Sequence, residues 1–286
     1  MKQQDARVAR QIRDFIRATL TGAGVSRVVV NVSGGVDSAL AAALALQAVG
    51  PQNLYLSMMP YGELGASAVH NAMLLVEALK IPQEQTFTID IERPVDAIVE
   101  QTVTPDRVRL GNIMARVRMI YLFDLAKRLN ALVCGTENRT EHYLGYFTRF
   151  GDAASDLEPI RGLNKTQVWE LARALDIPEA IVQQAPTAGL WEAQTDEGEL
   201  GYSYEDADRV LSYHFDQHLS IDEIAAKGVP REVAARVLDR VASNDFKHHL
   251  PYVNAGKAEG SQRSEQGRAT ARVSGRKPSQ SRRRAP

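Results

Sequence analysis

Cysteine is nearly absent from this 286-residue chain: Cys134 stands alone, which excludes an internal disulfide framework and a cysteine-rich zinc module. Long apolar runs are missing too. The longest, about residues 39–46, falls far short of the roughly 20 residues that a membrane helix needs. The N-terminal stretch MKQQDARVARQIRDF alternates charge with apolar residues and has no secretory signal. These absences point to a cytoplasmic protein without a membrane partner. Net charge is small as well, −1, but unevenly spread. From Asn254 to Pro286 nine Lys/Arg stand against two Glu, which gives the tail +7 and leaves −8 for residues 1–253. Rich in Gly, Ser, Gln and Arg, the tail has too little apolar surface to offset its ordering entropy. It reads as a basic disordered extension, or as a weak contact for a polyanion such as nucleic acid that salt would abolish.

What is present is apolar material for one sizeable core, 44% of the residues, and a regular alternation of elements. Val8, Ile12, Phe15, Ile16 and Leu20 recur at helical spacing over 2–20, and Gly22 and Gly24 are expected to end that helix. Residues 27–32 form a β-branched run with the look of a buried parallel strand. Strands are expected again at 53–59, 86–90 and 131–134, with helices at 37–49, 65–80, 94–101 and 105–129. Crossovers of this length imply an α/β fold, an open parallel sheet covered by helices on both faces. Beyond residue 160 the pattern is helical: 164–175, 178–184, 203–217, 220–227 and 230–243. The expected organisation is one domain over 1–253 with a helical C-terminal part, then the tail 254–286.

The informative stretch is Ser33-Gly34-Gly35-Val36-Asp37-Ser38, directly after the first strand and opening a helix. Two successive glycines let the backbone turn tightly and approach a ligand. The N–H groups and positive dipole end of the helix then face an anion, with Ser33 and Ser38 as hydroxyl donors. Asp37 is the odd member, because a carboxylate among phosphates is repulsive unless a divalent cation lies between; it predicts Mg²⁺. The plainer alternative is a strand-to-helix turn whose Ser or Asp caps the helix. No G-x-x-x-x-G-K-[ST] loop occurs, and Gly22-Ala-Gly24 precedes the strand, so neither the common ATPase loop nor a dinucleotide fingerprint is present.

SGGVDS resembles the pyrophosphate loop of the ATP pyrophosphatases, which transfer AMP to a carboxylate or amide oxygen. The loop does not choose among their members. Six further blocks do, being similar to NAD synthetase in order and spacing: Gly111 to Met119, Val133 to Glu141, Gly145 to Pro159, Leu163-Asn-Lys165, Ala185 to Trp191, and Gln194 to Gly201. The resemblance runs from about Arg7 to Val253. It implies a Rossmann-like fold of the ATP pyrophosphatase type and ATP-dependent amidation of deamido-NAD (nicotinic acid adenine dinucleotide) through an acyl-adenylate. It also implies a homodimer with the dinucleotide site at the subunit interface, to which 105–129 and 203–243 could contribute. Other adenylating members, such as tRNA-modifying enzymes, and a non-catalytic nucleotide-binding protein are the alternatives. The first needs thiol or zinc chemistry that one cysteine does not provide; the second is expected to lose Asp37, Glu141 or Lys165, and all three are present.

Residue by residue, the resemblance implies ATP contacts at Ser33, Gly34, Gly35, Val36, Asp37, Ser38, Thr136, Lys165 and Thr187. It makes Glu141 the second magnesium carboxylate beside Asp37. Lys165 would neutralise phosphate charge as the adenylate forms, and Asp152 would hold ammonium or take its proton. Deamido-NAD is assigned to Arg116, Phe147, Arg149, Asp156 and Lys247. Helical spacing by itself puts Arg109, Asn112 and Arg116 on one face, solvated or ligand-binding, with Arg118 almost opposite. Phe147 could stack on a flat heteroaromatic ring or serve only packing. Arg149 stands where the family usually has Lys, and Phe246 where it has His. His248 and His249 read as a solvated pair rather than a metal site, since no third ligand is in sight. Because the loop begins at residue 33, no room precedes it for an amidase domain. Free ammonia is therefore the expected donor, or ammonia from a separate glutaminase.

Overall fold

Three consecutive valines can be fully buried only if both sides of their strand are covered, and Val28, Val29 and Val30 are each wholly inaccessible. In the computed structural model, β1 (Arg27–Asn31) is one of the two inner strands of a four-stranded sheet. The structure describes residues 3–187, 194–249, 251 and 252. β2 (Leu54–Met58), β3 (Thr86–Thr88) and β4 (Ala131–Cys134) complete the sheet in the order β3-β2-β1-β4, all parallel. Val29 is in register with Tyr55 on one side and Val133 on the other. A parallel bridge from Cys134 to Leu157 extends the β4 edge.

Side chains alternate across the sheet. Val28 and Val30 join one core with α1 (Gln3–Ala23), α2 (Val36–Val49), α3 (Ala66–Ala78), α7 (Lys165–Ala174) and α8 (Glu179–Val182); Val29 joins another with α4 (Glu92–Glu100) and α5 (Arg107–Leu129). Helices on both faces are therefore as the sequence predicts. α2 is apolar almost all round because it lies between the sheet and both α1 and α7. A third core gathers α6 (Arg139–Leu144), the short α9 (Asp196–Leu200), α10 (Tyr204–Leu211), α11 (Ile221–Ala226) and α12 (Arg231–Asn244).

Several boundaries differ from the sequence reading. α1 continues past Gly22 to Ala23. The helix expected over 203–217 is instead α10 followed by a π-helical segment, Ser212–Asp216. The wider turn is held by Arg139, whose guanidinium donates twice to Asp216 at 2.6 and 3.0 Å, and by Asn164, which donates to Ser212 Oγ at 3.1 Å. Cys134 is buried at the end of β4, where burial pushes its thiol pKa far up. The described residues as far as His248 form one compact unit. His249 and Tyr252 belong to the second and stack on each other, ring centroids 5.5 Å apart. The expected boundary at 253/254 and the basic tail lie outside the described residues.

Candidate active site

The direction of the crossovers reverses between β1 and β4, so the loops after these two strands diverge and leave a crevice at the carboxyl edge of the sheet. A cavity of about 480 Å³ occupies that edge. The first loop is the turn after β1. Gly34 holds φ at +80°, and a Cβ there would fall 2.9 Å from the Ala68 Cα and closer still to its carbonyl oxygen. Only glycine fits against α3 in this way. Gly35, at φ −89°, is the N-cap of α2 and supplies no side-chain cap. The leading N–H groups and positive end of α2 thus remain available to an anion, and Gly35, Val36 and Asp37 line the cavity. Ser33 and Ser38 line the cavity too, and they also bond within the turn. Ser38 is buried, donates to the Gly35 carbonyl at 2.9 Å and accepts from Ser33 N at 3.1 Å, while Ser33 Oγ lies 3.2 Å from Ser38 Oγ. Both hydroxyls brace the turn.

The second loop follows β4. Asn138 caps α6 by accepting from Glu141 N at 2.9 Å, and Glu141 Oε2 accepts from Asn138 N at 3.4 Å, a reciprocal capping box. The amide nitrogen of Asn138 reaches across the crevice and donates to Asp37 Oδ1 at 2.8 Å. Lys165, at the first position of α7, completes the cluster. Its ammonium pairs with Asp37 Oδ2 and, at 3.1 Å, with Glu141 Oε1, and its side chain is only 3% exposed. Burial alone would lower the lysine pKa, but Asp37 and Glu141 outweigh it and the net shift is upward, so Lys165 stays charged. Burial raises the Glu141 pKa against the opposing pull of Lys165. Two carboxylates from the first turns of separate helices thus converge on one cationic point, an arrangement of hard oxygen donors that suits a divalent cation. Among the described residues no group of three or more His, Cys, Asp or Glu forms a metal cage, so phosphate oxygens and water would complete such a shell.

Thr136 and Thr187 also line the cavity, as do Phe147, Asp152 and Lys247. Asp152 accepts from Thr148 N at 3.0 Å, and the protein around it raises its carboxyl pKa by desolvation. Lys247 donates to the Gly145 and Phe147 carbonyls at 2.6 and 3.0 Å, and burial lowers its pKa. The Phe147 ring lies nearly parallel to His142, centroids 6.3 Å apart, and 5.6 Å from His248. His248 is therefore part of an aromatic group rather than one of a solvated pair. Three residues expected to bind the dinucleotide do not line this cavity. Arg116 is exposed and donates to the Arg149 carbonyl at 3.3 Å, the Arg149 guanidinium lies 5.3 Å from the Phe246 ring, and Asp156 accepts from Val133 N at 2.7 Å.

Two arginines do line the cavity, Arg240 and Arg118. The second, Arg118, sits on α5. It donates to the Met59 carbonyl at 2.9 Å, and burial lowers its pKa to about 10, with Asp152 pulling the other way. Helical spacing separated Arg116 from Arg118 correctly, but the direction of the cavity could not be read from it. Asn138 was also missed, although Asn138-x-x-Glu141 carries a capping-box signature. Asp196 was missed as well: it accepts from Tyr146 and Tyr204 hydroxyls at 3.0 and 2.9 Å beside Lys165.

An α/β chain with its ligand cavity at the switch point of an open parallel sheet belongs structurally to the Rossmann-like enzymes. This chain belongs to the NAD synthase family, whose family model matches residues 8–251. It is similar to the NH(3)-dependent NAD(+) synthetase of Fusobacterium nucleatum, 40% identical over 246 residues that cover 86% of this chain and 94% of that one. The NH(3)-dependent NAD(+) synthetase of Thermococcus kodakarensis is 43% identical, covering 88% and 98%. Among solved structures, NMN synthetase from Francisella tularensis superposes with a TM-score of 0.78 at 31% identity, covering 88% of this chain and 99% of that one. NH3-dependent NAD synthetase from Campylobacter jejuni superposes at 0.74 and 28%, with coverage of 88% and 99%.

Proposed function

We propose that this chain joins ammonia to the nicotinate carboxylate of deamido-NAD at the expense of ATP. A carboxylate oxygen attacks the α-phosphorus of ATP and pyrophosphate leaves, which forms the acyl-adenylate. Ammonia then attacks the acyl carbon, and AMP departs with the former carboxylate oxygen. The products are NAD⁺, AMP and pyrophosphate. The observation that carries this reading is the Asp37–Lys165–Glu141 cluster at the start of α2, opening into a cavity that also contains Asp152 and Phe147. Naming the dinucleotide rests on the family and the relatives.

The chain's own residues then have definite work. The Gly34-Gly35 turn and the leading amides of α2 receive the departing pyrophosphate. Lys165 supplies fixed positive charge beside the reacting phosphate, and Thr136 and Thr187 contact ATP. Asp37 and Glu141 would hold Mg²⁺, which when bound neutralises triphosphate charge. Asp152 holds ammonium and accepts its proton, for which a raised carboxyl pKa suits it. Phe147 and Lys247 bind deamido-NAD at the cavity, and Arg116, Arg149 and Asp156 take its outer part. That outer part would lie against a second copy, because α5 and the adjoining loop expose Val108, Ile120 and Phe150 beside Arg116 and Arg149. No described helix is long and apolar enough to cross a membrane, and the cytoplasm is the compartment this chemistry suits.

Pyrophosphate release from ATP and Mg²⁺ tests the reading, measured with deamido-NAD, with nicotinate mononucleotide and with neither, then with ammonium or glutamine added. Release that requires deamido-NAD, followed by NAD⁺ formation with ammonium, is expected. Release indifferent to either nucleotide would overturn it, and preference for the mononucleotide would replace the substrate.

A further inference from the structure

The reacting groups of the proposed site are carried by three elements that are not adjacent in sequence: Asp37 on α2, Glu141 on α6 and Lys165 on α7. A lysine stem is long and flexible, so the position of its ammonium depends on where the backbone of α7 begins. That beginning is tied to a buried anion outside the cavity wall. Asp208, on α10 and 5% exposed, accepts from Thr166 N at 2.8 Å and from Thr166 Oγ1 at 2.7 Å with one carboxylate oxygen. Its other oxygen accepts from the Thr140 hydroxyl. Thr140 Oγ1 in turn accepts from Lys165 N at 3.0 Å. The first two N–H groups of α7 therefore both end on Asp208, one directly and one through Thr140. Thr140 is also the residue before Glu141.

We propose that Asp208 is a positioning residue for this reaction: it fixes the start of α7, and hence Lys165, against the helix that carries Glu141. The inference rests on the function proposed above. Ionised carboxylate suits this junction because it accepts all three hydrogen bonds at once and donates none. An asparagine with its NH₂ toward Thr140 would leave the Thr140 O–H without its acceptor, and one turned the other way would face the Thr166 N–H with a donor. Its negative charge also faces the positive end of α7. The apolar third core packs α10 against its neighbours, so the carboxylate adds direction rather than bulk.

The experiment compares Asp208→Asn, Thr140→Val, Thr140→Ser and the Asp208→Asn/Thr140→Val double variant, in the full chain with Mg²⁺. ATP-dependent turnover of deamido-NAD and melting temperature are measured. A displacement of Lys165 by about 1 Å is expected to lower kcat by up to about 100-fold in Asp208→Asn and Thr140→Val. KM for ATP should change far less, and Thr140→Ser, which keeps the hydroxyl, should restore kcat. The double variant should lose little beyond either single one, because both break the same chain of hydrogen bonds. Variants that melt lower but turn over like the wild type would reduce Asp208 to a structural role and overturn the proposal. If Asp208→Asn fails to fold, the Thr140 pair decides on the same criterion. A wild-type chain that does not turn over deamido-NAD strikes the proposed function itself; one that does, with unimpaired variants, strikes only the role of Asp208.

Discussion

Asn138 and Asp37 are 101 positions apart, yet the side-chain amide of one donates to the carboxylate of the other at 2.8 Å while its own oxygen caps the helix of Glu141. One residue thereby sets the distance between the two proposed metal carboxylates. Asn138→Ala should lose about 1 kcal/mol through the missing cap and release Asp37. Asn138→Asp keeps a good cap but sets a second carboxylate against Asp37. Because Asn138 is buried, we expect Asn138→Asp to melt lower than Asn138→Ala despite its better cap, with turnover lost in both; thermal melts paired with NAD⁺ formation check this.

Removal of the lysine should expose the reciprocal dependence. Lys165→Ala leaves Asp37 and Glu141 facing each other without a cation, each about one-sixth exposed. Breaking a buried pair in this way costs about 3 kcal/mol, at the low end of the usual range because the carboxylates keep some solvent. Added Mg²⁺ should then raise the melting temperature of Lys165→Ala more than that of the wild type. Equal shifts would contradict a cation site between the two acids.

Adjacent glycines should fail for different reasons. Gly34→Ala needs both φ +80° and room already taken by the Ala68 backbone, so it should lose stability by at least about 1–3 kcal/mol. Gly35→Ala has a permitted φ, and its nearest new contact is Ser33 Oγ at 3.5 Å. Gly35→Ala should melt like the wild type but bind ATP weakly, since its methyl group faces the proposed pyrophosphate position. Calorimetry of ATP binding beside thermal melts separates the two.

A pH signature should come from Glu158. Burial pushes its pKa from 4.5 to about 7, against the opposing effect of its Ser155 hydrogen bond at 2.7 Å. The folded value lies above the unfolded one, so the folded state binds the proton more tightly and this group's contribution to stability is present below pH 4.5. It is lost as pH rises through about 7 and constant above. The melting temperature of wild type relative to Glu158→Gln should therefore fall between about pH 4.5 and 7 and then level off. A difference that does not vary with pH would show that Glu158 titrates normally.

Much of this architecture was legible because it rests on local chemistry. Three valines in a row demand cover on both sides, and a Gly-Gly turn between a strand and a helix demands little else. What escaped was set by distant partners. Asp208 is 42 residues from Thr166 and 68 from Thr140, and no pattern within its own helix marks it. α6 has only six residues, too short for periodicity, and its capping box was its one local signal. The serine hydroxyls line the cavity as their type suggests, but tight turns have carbonyls and amides of their own to satisfy, and the bracing bonds within the turn were not legible from the motif. Arg116 and Arg118 show the same limit: a helical angle is relative, and only the packed fold says which side faces the cavity.

The lone thiol at the end of β4 has a practical consequence. Buried, and with burial raising its thiol pKa, Cys134 is a poor nucleophile toward alkylating reagents and mild oxidants. Among the described residues a cysteine engineered onto the outside would then be the one reactive handle, so that a fluorophore or spin label could be attached at a chosen point without first removing anything native.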